Sequence, residues 1–262
     1  MTRRGFALLA VLWVLTALAA ITGVGMMVTR LGSEATRNRV LLARAEWARE
    51  ACGEILQARF ATDPTTRKID SIDLGRGTWC SASITDPSAQ INVNTADREA
   101  LALLLTQLHE SSQLADTIIA EREVRAIYNL AQVHGIDSAR ASRLALFLTT
   151  RGTGVVNINA APPAVLAALP GLSAEAVRVI ADRQYARHPV ASADELSGAL
   201  STSSRELLLN NYAEFVRVAV FSAPQLVAAL VGGVRNTPIV SRATLAVVPV
   251  PGRLAVIRRE TE

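Results

Sequence analysis

From Phe6 to Val28 the chain is apolar at every position except Thr16, Thr22, Gly23 and Gly25. As a helix those 23 residues span roughly 35 Å, enough to cross the ~30 Å hydrocarbon layer of a bilayer. In lipid only a helix satisfies all of such a segment's backbone groups. Beyond Arg30 the pattern takes on a helical period: Leu41, Ala45, Ala48, Cys52, Ile55 and Leu56 recur at short helical spacings and predict one buried face. No proline interrupts Leu31 to Phe60. The spacing predicts a single helix from residue 6 to residue 60, roughly 80 Å long, with its first half in lipid and its second half packed on a soluble domain.

After Phe60 the period shortens. Asp63-Pro64, Asp70, Asp73 and Gly75–Gly77 mark turns, and Thr78–Thr85 alternates as a half-buried strand does. From Asp86-Pro87 to about Asn211 the pattern is helical again. Alternation then returns at Phe215–Phe221, Ser241–Val248 and Leu254–Arg258, with turns at Asn236-Thr237-Pro238 and Pro249–Gly252. Gln225–Val231 fits a strand or a short helix, and Gly232-Gly233 reads as a turn. The economical arrangement is α+β: a small antiparallel sheet from residues 61–88 and 213–262, split by an inserted helical domain at 89–212.

That insertion contains a repeat. Ile91-Asn92-Val93-Asn94-Thr95-Ala96 returns as Val156-Asn157-Ile158-Asn159-Ala160-Ala161, an offset of 65 residues. Asn94 or Thr95, and Asn159, stand just before apolar-periodic runs and are expected to cap helices. Asp97 and Glu99 then lie at the positive end of the helix dipole, and Pro162 and Pro163 suit a first turn. The second copy continues as Leu169-Pro170-Gly171-Leu172-Ser173, which resembles the turn of a helix-hairpin-helix. DNA-binding forms place glycine on both sides of the central apolar residue so that amides reach a phosphate. Here Ser173 replaces the second glycine. The first copy has Thr106-Gln107-Leu108-His109, and His134-Gly135-Ile136-Asp137 also lacks the pair. Two SAM-like or hairpin helical bundles serving as a protein surface are expected.

Composition and charge narrow the chemistry. Across 262 residues half the positions are apolar and 19% are charged, which excludes intrinsic disorder. The net charge of +4 divides into +5 over residues 1–49, −2 over 50–90, −2 over 91–212 and +3 over 213–262. A slightly acidic middle is a poor surface for a polyanion, so no nucleic-acid partner is expected. Cys52 and Cys80 are too few for a cysteine zinc site, and His109, His134 and His188 show no ligand spacing. Ser173, Ser192 and Ser201 have no nucleophile-elbow context, while Glu121, Glu123, Asp194 and Glu195 read as solvated or capping residues. No catalytic residue, metal, cofactor or small-molecule substrate is expected, and the chain is not read as an enzyme.

The amino terminus carries a resemblance. Arg3 and Arg4, then Gly5, then Phe6 followed by Ala-Leu-Leu-Ala-Val-Leu-Trp-Val-Leu is similar to the class III signal of type IV pilins and type II secretion pseudopilins. The resemblance implies that a prepilin peptidase cuts after Gly5 and methylates Phe6. Most of that family carry glutamate five residues into the mature chain, where this sequence has Ala10. The family glutamate lies in an apolar bundle and needs a charged partner on the adjacent subunit. A subunit with nothing above it needs none, so Ala10 points to a filament apex. A secretory signal peptide is the competitor: Ala17, Ala19 and Ala20 mimic its cleavage site, but apolar residues continue to Val28.

In its order of parts the whole chain resembles the minor pseudopilin K family, the general secretion pathway proteins K, of the type IV pilin-like superfamily. The plan implied is a leader at 1–5, a transmembrane helix at 6–28, a soluble shaft at 29–60, and the split sheet with its insertion. It implies a single pass through the inner membrane with the carboxy-terminal domain in the periplasm. Arg3 and Arg4 favour that orientation, although Arg30, Arg37 and Arg39 lie on the far side. The implied partners are the minor pseudopilins I and J and the major pseudopilin, with the complex at the pseudopilus tip initiating assembly for export of folded proteins. In that compartment Cys52, on the shaft, and Cys80, on the adjoining strand, form a candidate disulfide. Some relatives bind calcium, but no acidic cluster carries that over. Two other functions fit: a membrane-anchored DNA receptor for competence, and a minor pilin of a type IV pilus.

Overall fold

The computed structural model describes residues 3–261, with side chains from residue 11 to residue 260. Its first element, α1 (Arg3–Thr62), joins the apolar run and the amphipathic run into one 60-residue helix, roughly 90 Å long. Gly5, Phe6 and Ala10 fall on its first turns, and their side chains lie outside the described residues. The helix stops at Asp63-Pro64. Proline disfavours helical backbone in the residue before it, and the Asp63 carboxylate turns the chain by accepting from the Thr65 amide at 2.9 Å.

Next come β1 (Lys68–Gly75) and β2 (Thr78–Thr85). A first helical set follows: β3 (Ile91–Asn92), α2 (Arg98–Gln107), α3 (Gln113–Val124), α4 (Ser138–Leu144) and β4 (Leu148–Thr149). A second set is β5 (Val156–Asn157), α5 (Pro163–Leu166), α6 (Ala174–Tyr185), α7 (Ala193–Gly198), α8 (Thr202–Asn210), α9 (Tyr212–Val218) and β6 (Ala219–Val220). The chain closes with β7 (Leu226–Val234), β8 (Val240–Val250) and β9 (Arg253–Thr261).

Five strands form an antiparallel sheet in the order β1-β2-β7-β8-β9. β2 and β7 are neighbours, paired from Thr78 against Val234 to Thr85 against Val227. The two helical sets therefore leave and re-enter the sheet between adjacent strands, and the sheet closes without them. They keep a hydrophobic core of their own, built on Leu101, Leu104, Ile118, Leu166, Ile180, Leu196 and Phe215.

The second half of α1 lies across the sheet. Ala45, Ala48, Arg49, Cys52, Leu56 and Phe60 are buried there against Ile69, Ala82, Ile84, Ala228, Leu230 and Val247. This is the face that the spacing predicts, with Leu41 and Ile55 half-buried on its flanks. Leu56 and Phe60 each contribute about 1.5–3 kcal/mol by leaving water. Arg49 is the polar exception: its guanidinium donates to the Ser241 hydroxyl at 2.9 Å and to Glu50 at 2.7 Å.

Four local expectations are corrected or resolved. Gly232-Gly233 is no turn but lies inside β7. A Cβ on Gly232 would collide with the Ala45 carbonyl and the Arg49 amide, and one on Gly233 would stand 2.7 Å from the Trp79 ring. Glycine is present because helix and ring approach the strand closely. Asp70 and Asp73 are not turns: β1 runs through both as an edge strand with two register shifts. Its charged side chains face water, which masked its period, and such charges discourage pairing with other chains. Gln225–Val231, open between strand and short helix, resolves as strand from Leu226 onward.

The fourth concerns Phe215–Phe221, expected as a strand of the sheet. The chain is helical there until Val218, and β6 then pairs in parallel with β5. Phe215 and Val218, three residues apart, both face the core of the insertion, where Phe215 meets Phe221 edge-on at 6.4 Å. Exposed Val216 and Arg217 between them imitate alternation. The helical part thus extends past residue 212.

Candidate assembly surface

The sequence repeat has a structural counterpart. In the first copy the Asn92 side chain accepts from the Asn94 amide at 2.9 Å, and in the second Asn157 accepts from Asn159 at 3.1 Å. Asn94 then clamps Ile127, accepting from its amide and donating to its carbonyl, both at 2.9 Å. Asn159 does the same to Val190, both at 2.8 Å. Arg122 donates to the Val93 and Ala96 carbonyls, and Gln184 donates to the carbonyls 65 residues later, Ile158 and Ala161. Each copy closes on a parallel strand pair, β3 with β4 and β5 with β6.

This corrects the reading of Asn94, Thr95 and Asn159 as helix caps. The residues preceding α2 and α5 are Asp97 and Pro162, neither of which makes a side-chain cap bond. The asparagines satisfy distant buried backbone instead, a role no local pattern separates from capping. The first copy's eroded sequence leaves its clamps intact.

The hairpin turn of the second copy is covered from within. Gly171 has φ of +75°, and a Cβ there would stand 3.0 Å from the Asn211 Cβ at the α8–α9 junction. Ser173 caps α6, accepting from the Ala176 amide at 3.1 Å, and donates to Ser204 at 2.8 Å. Glu175, in the first turn of α6, accepts from the Ser201 amide at 3.0 Å, the Ser204 hydroxyl at 2.6 Å and the Ser201 hydroxyl. The Glu175 carboxylate thus lies at the start of α8 and ties α6 to it.

Those bonds, led by the Ser201 hydroxyl and then Ser204, hold the Glu175 carboxyl at about 2, well below its ordinary 4.5. A depressed carboxylate adds stability above its unfolded pKa and loses it as pH falls through the folded one. The Glu175→Gln chain should therefore show a shallower loss of thermal stability between about pH 4.5 and pH 2 than the parent. Midpoints measured across that window check it, and identical acid limbs would contradict it.

The other residues singled out by the sequence fall in structural roles. Ser192 caps α7 by accepting from the Glu195 amide at 3.2 Å, and Glu195 accepts from the Ala191 amide at 2.7 Å. Glu121 accepts from the His134 amide at 2.6 Å. His109, His134 and His188 are exposed and separate, and no group of three potential metal-binding side chains occurs among the described residues. Between the two copies runs a groove of about 480 Å³, floored by Ala96, Ala100, Leu169 and Val218 and crossed by the Asp97–Arg217 ion pair.

Cys52 and Cys80 are brought together. Both are fully buried between α1 and β2, with Cα atoms 5.8 Å apart, and the structure joins their sulfurs.

The remaining surface is the bare half of α1. From Val11 to Val40 every residue is exposed, although the mean hydropathy of its most apolar stretch is 2.2 and that stretch is 0% buried. Val11, Leu12, Trp13, Leu15, Ile21 and Met26 each expose more than half their surface. An apolar surface of this extent needs a bilayer or other helices around it. One helix among the described residues is long and apolar enough to cross a membrane.

A long helix that is greasy and bare at one end, and laid over an antiparallel sheet at the other, defines a pseudopilin-like fold. The backbone matches a chain in the crystal structure of the GspK-GspI-GspJ complex of the type 2 secretion system of enterotoxigenic Escherichia coli. The TM-score is 0.53 at 12% sequence identity, covering 89% of this chain and 99% of that one. Neither a protein-family model nor a curated protein matches the chain.

Proposed function

We propose that the chain is a minor pseudopilin of a type II secretion system, of the K kind, which caps the periplasmic pseudopilus. The observation that carries this is the shape of the helix and its load. A bare apolar shaft is suited to a bundle of like helices, while the two-copy insertion makes the head too wide to repeat along a close-packed filament. Ala10, without the family's charge, suits a subunit with none above it.

On this reading a prepilin peptidase trims the leader after Gly5 and methylates Phe6, and the helix holds the protein in the inner membrane with its head in the periplasm. It assembles there with minor pseudopilins I and J on top of the major pseudopilin and initiates the filament that exports folded proteins. The 89–212 insertion serves as a partner surface of two SAM-like or helix-hairpin-helix repeats, supported by the 65-residue offset and the shared clamps. Cys52 and Cys80 are oxidised in that compartment.

Deleting the gene should abolish export of folded proteins across the outer membrane while the cell's other functions continue, and the full chain should restore it. Unaltered export in the deletion strain contradicts the proposal. Loss of surface pili with export intact would assign the chain to a type IV pilus instead.

A further inference from the structure

The two copies of the insertion are unequal where they meet. α2 runs ten residues, while its counterpart 65 residues on, α5, runs four and gives way to the Leu169-Pro170 turn. The groove of about 480 Å³ lies there, walled by α2 and α9. Its floor of Ala96, Ala100, Leu169 and Val218 is apolar. Leu103 stands on its lip with 52% of its surface exposed, in a helix that buries Leu101, Leu104 and Leu105.

The mouth of the groove is negative. Asp97, Glu99 and Glu214 line it with the single guanidinium of Arg217, which closes on Asp97 at 2.7 Å. Glu99 and Glu214 make no ion pair or hydrogen bond among the described residues, and Arg98 beside Glu99 is held by Asp116 at 2.9 Å. One carboxylate without a partner is thus left on each wall, Glu99 on α2 and Glu214 on α9. Along a third side runs the main chain of Thr153, Gly154 and Val155. Among the described residues its amides and carbonyls bond to no other backbone or side chain.

We infer that this groove docks a peptide segment of another protein, one that presents a leucine-sized apolar side chain with a lysine or arginine on either side. The apolar side chain covers the floor, the two cations meet Glu99 and Glu214, and the unpaired main chain at Thr153–Val155 takes up the segment's own amides and carbonyls. A bare metal ion does not suit the groove, because its floor is apolar and no group of three metal-binding side chains occurs among the described residues. A polyanion is repelled by the mouth. The inference uses neither the apolar half of α1 nor the proposed function.

The test uses the full chain in a nonionic detergent and a fluorescein-labelled peptide, Gly-Ser-Lys-Leu-Lys-Ser-Gly, with binding read by fluorescence anisotropy. This peptide should bind about tenfold more tightly than one with glutamate for both lysines, and about tenfold more tightly than one with serine for leucine. The first difference should shrink as salt is raised. The Glu99→Lys, Glu214→Lys double variant should prefer the glutamate peptide, a reversal that a loss of folding would not produce. Equal binding of the three peptides, or a preference the double variant leaves unchanged, overturns the inference. Displacement of the peptide by an equal concentration of hexylamine would make the groove a site for amphiphilic amines. A dimer of the chain alone that the double variant splits would give the groove to a second copy. Either result overturns the inference as well.

Discussion

Gly232→Val should separate the shaft from the head. The helix crosses β7 so closely at Gly232 that a Cβ meets main-chain atoms of Ala45 and Arg49, which cannot swing aside as a side chain can. Overpacking of this kind costs about 3 kcal/mol or more where backbone must move, a large share of a typical domain's 5–15 kcal/mol. Thermal unfolding of the full chain in detergent should show the midpoint lowered by roughly 6–12 °C or the transition lost. Gly53→Ala is the control: its Cβ would sit at an ordinary 3.4 Å from the Leu230 side chain, and alanine favours the helix by up to about 1 kcal/mol. Gly233→Ala should fall between the two, because the obstacle there is the Trp79 ring rather than backbone. Equal midpoints for the parent and the Gly232 variant would show that helix and sheet do not meet in this register.

The second large effect is expected at the buried cysteines. A bond between Cys52 and Cys80 closes a loop with a sequence separation of 28, for which chain entropy gives roughly 3–4 kcal/mol of stabilisation. It fastens the shaft to β2 on the same face that Gly232 serves from β7. The Cys52→Ala, Cys80→Ala chain, and the parent treated with reductant, should both unfold several degrees earlier than the oxidised parent. Non-reducing gel mobility and thiol titration of protein taken from the membrane fraction supply the other half. Two titratable thiols in that material, or a reductant-insensitive midpoint, would contradict the bond.

Some of this was legible in the residues and some was not, for physical reasons. The helical period of Ala45, Ala48, Cys52 and Leu56 is set by one flat contact with a sheet, so its buried face follows from spacing alone. Thr78–Thr85, half buried on alternate sides in the middle of the sheet, is equally plain. β1 hid because an edge strand needs few apolar residues: only Ile69 is buried, and Asp70 and Asp73 look like turn residues. Gly232-Gly233 looked like a turn because the cause of both glycines, the approach of α1 and of Trp79, is distant in sequence. The repeat was visible at Asn92-Val93-Asn94 and Asn157-Ile158-Asn159, but not its purpose. Each clamp reaches a backbone segment about thirty residues away, which adjacent residues do not announce.

In a pseudopilus subunit the apolar half of α1 stays joined to the head in the mature protein. Mass spectrometry of the intact chain, isolated from the membrane fraction of cells that make it, measures this directly. The expected mass is that of a chain beginning at methylated Phe6 with the whole head attached. A soluble periplasmic chain starting beyond Ala20, or one still carrying Met1 in the cytosol, would contradict it.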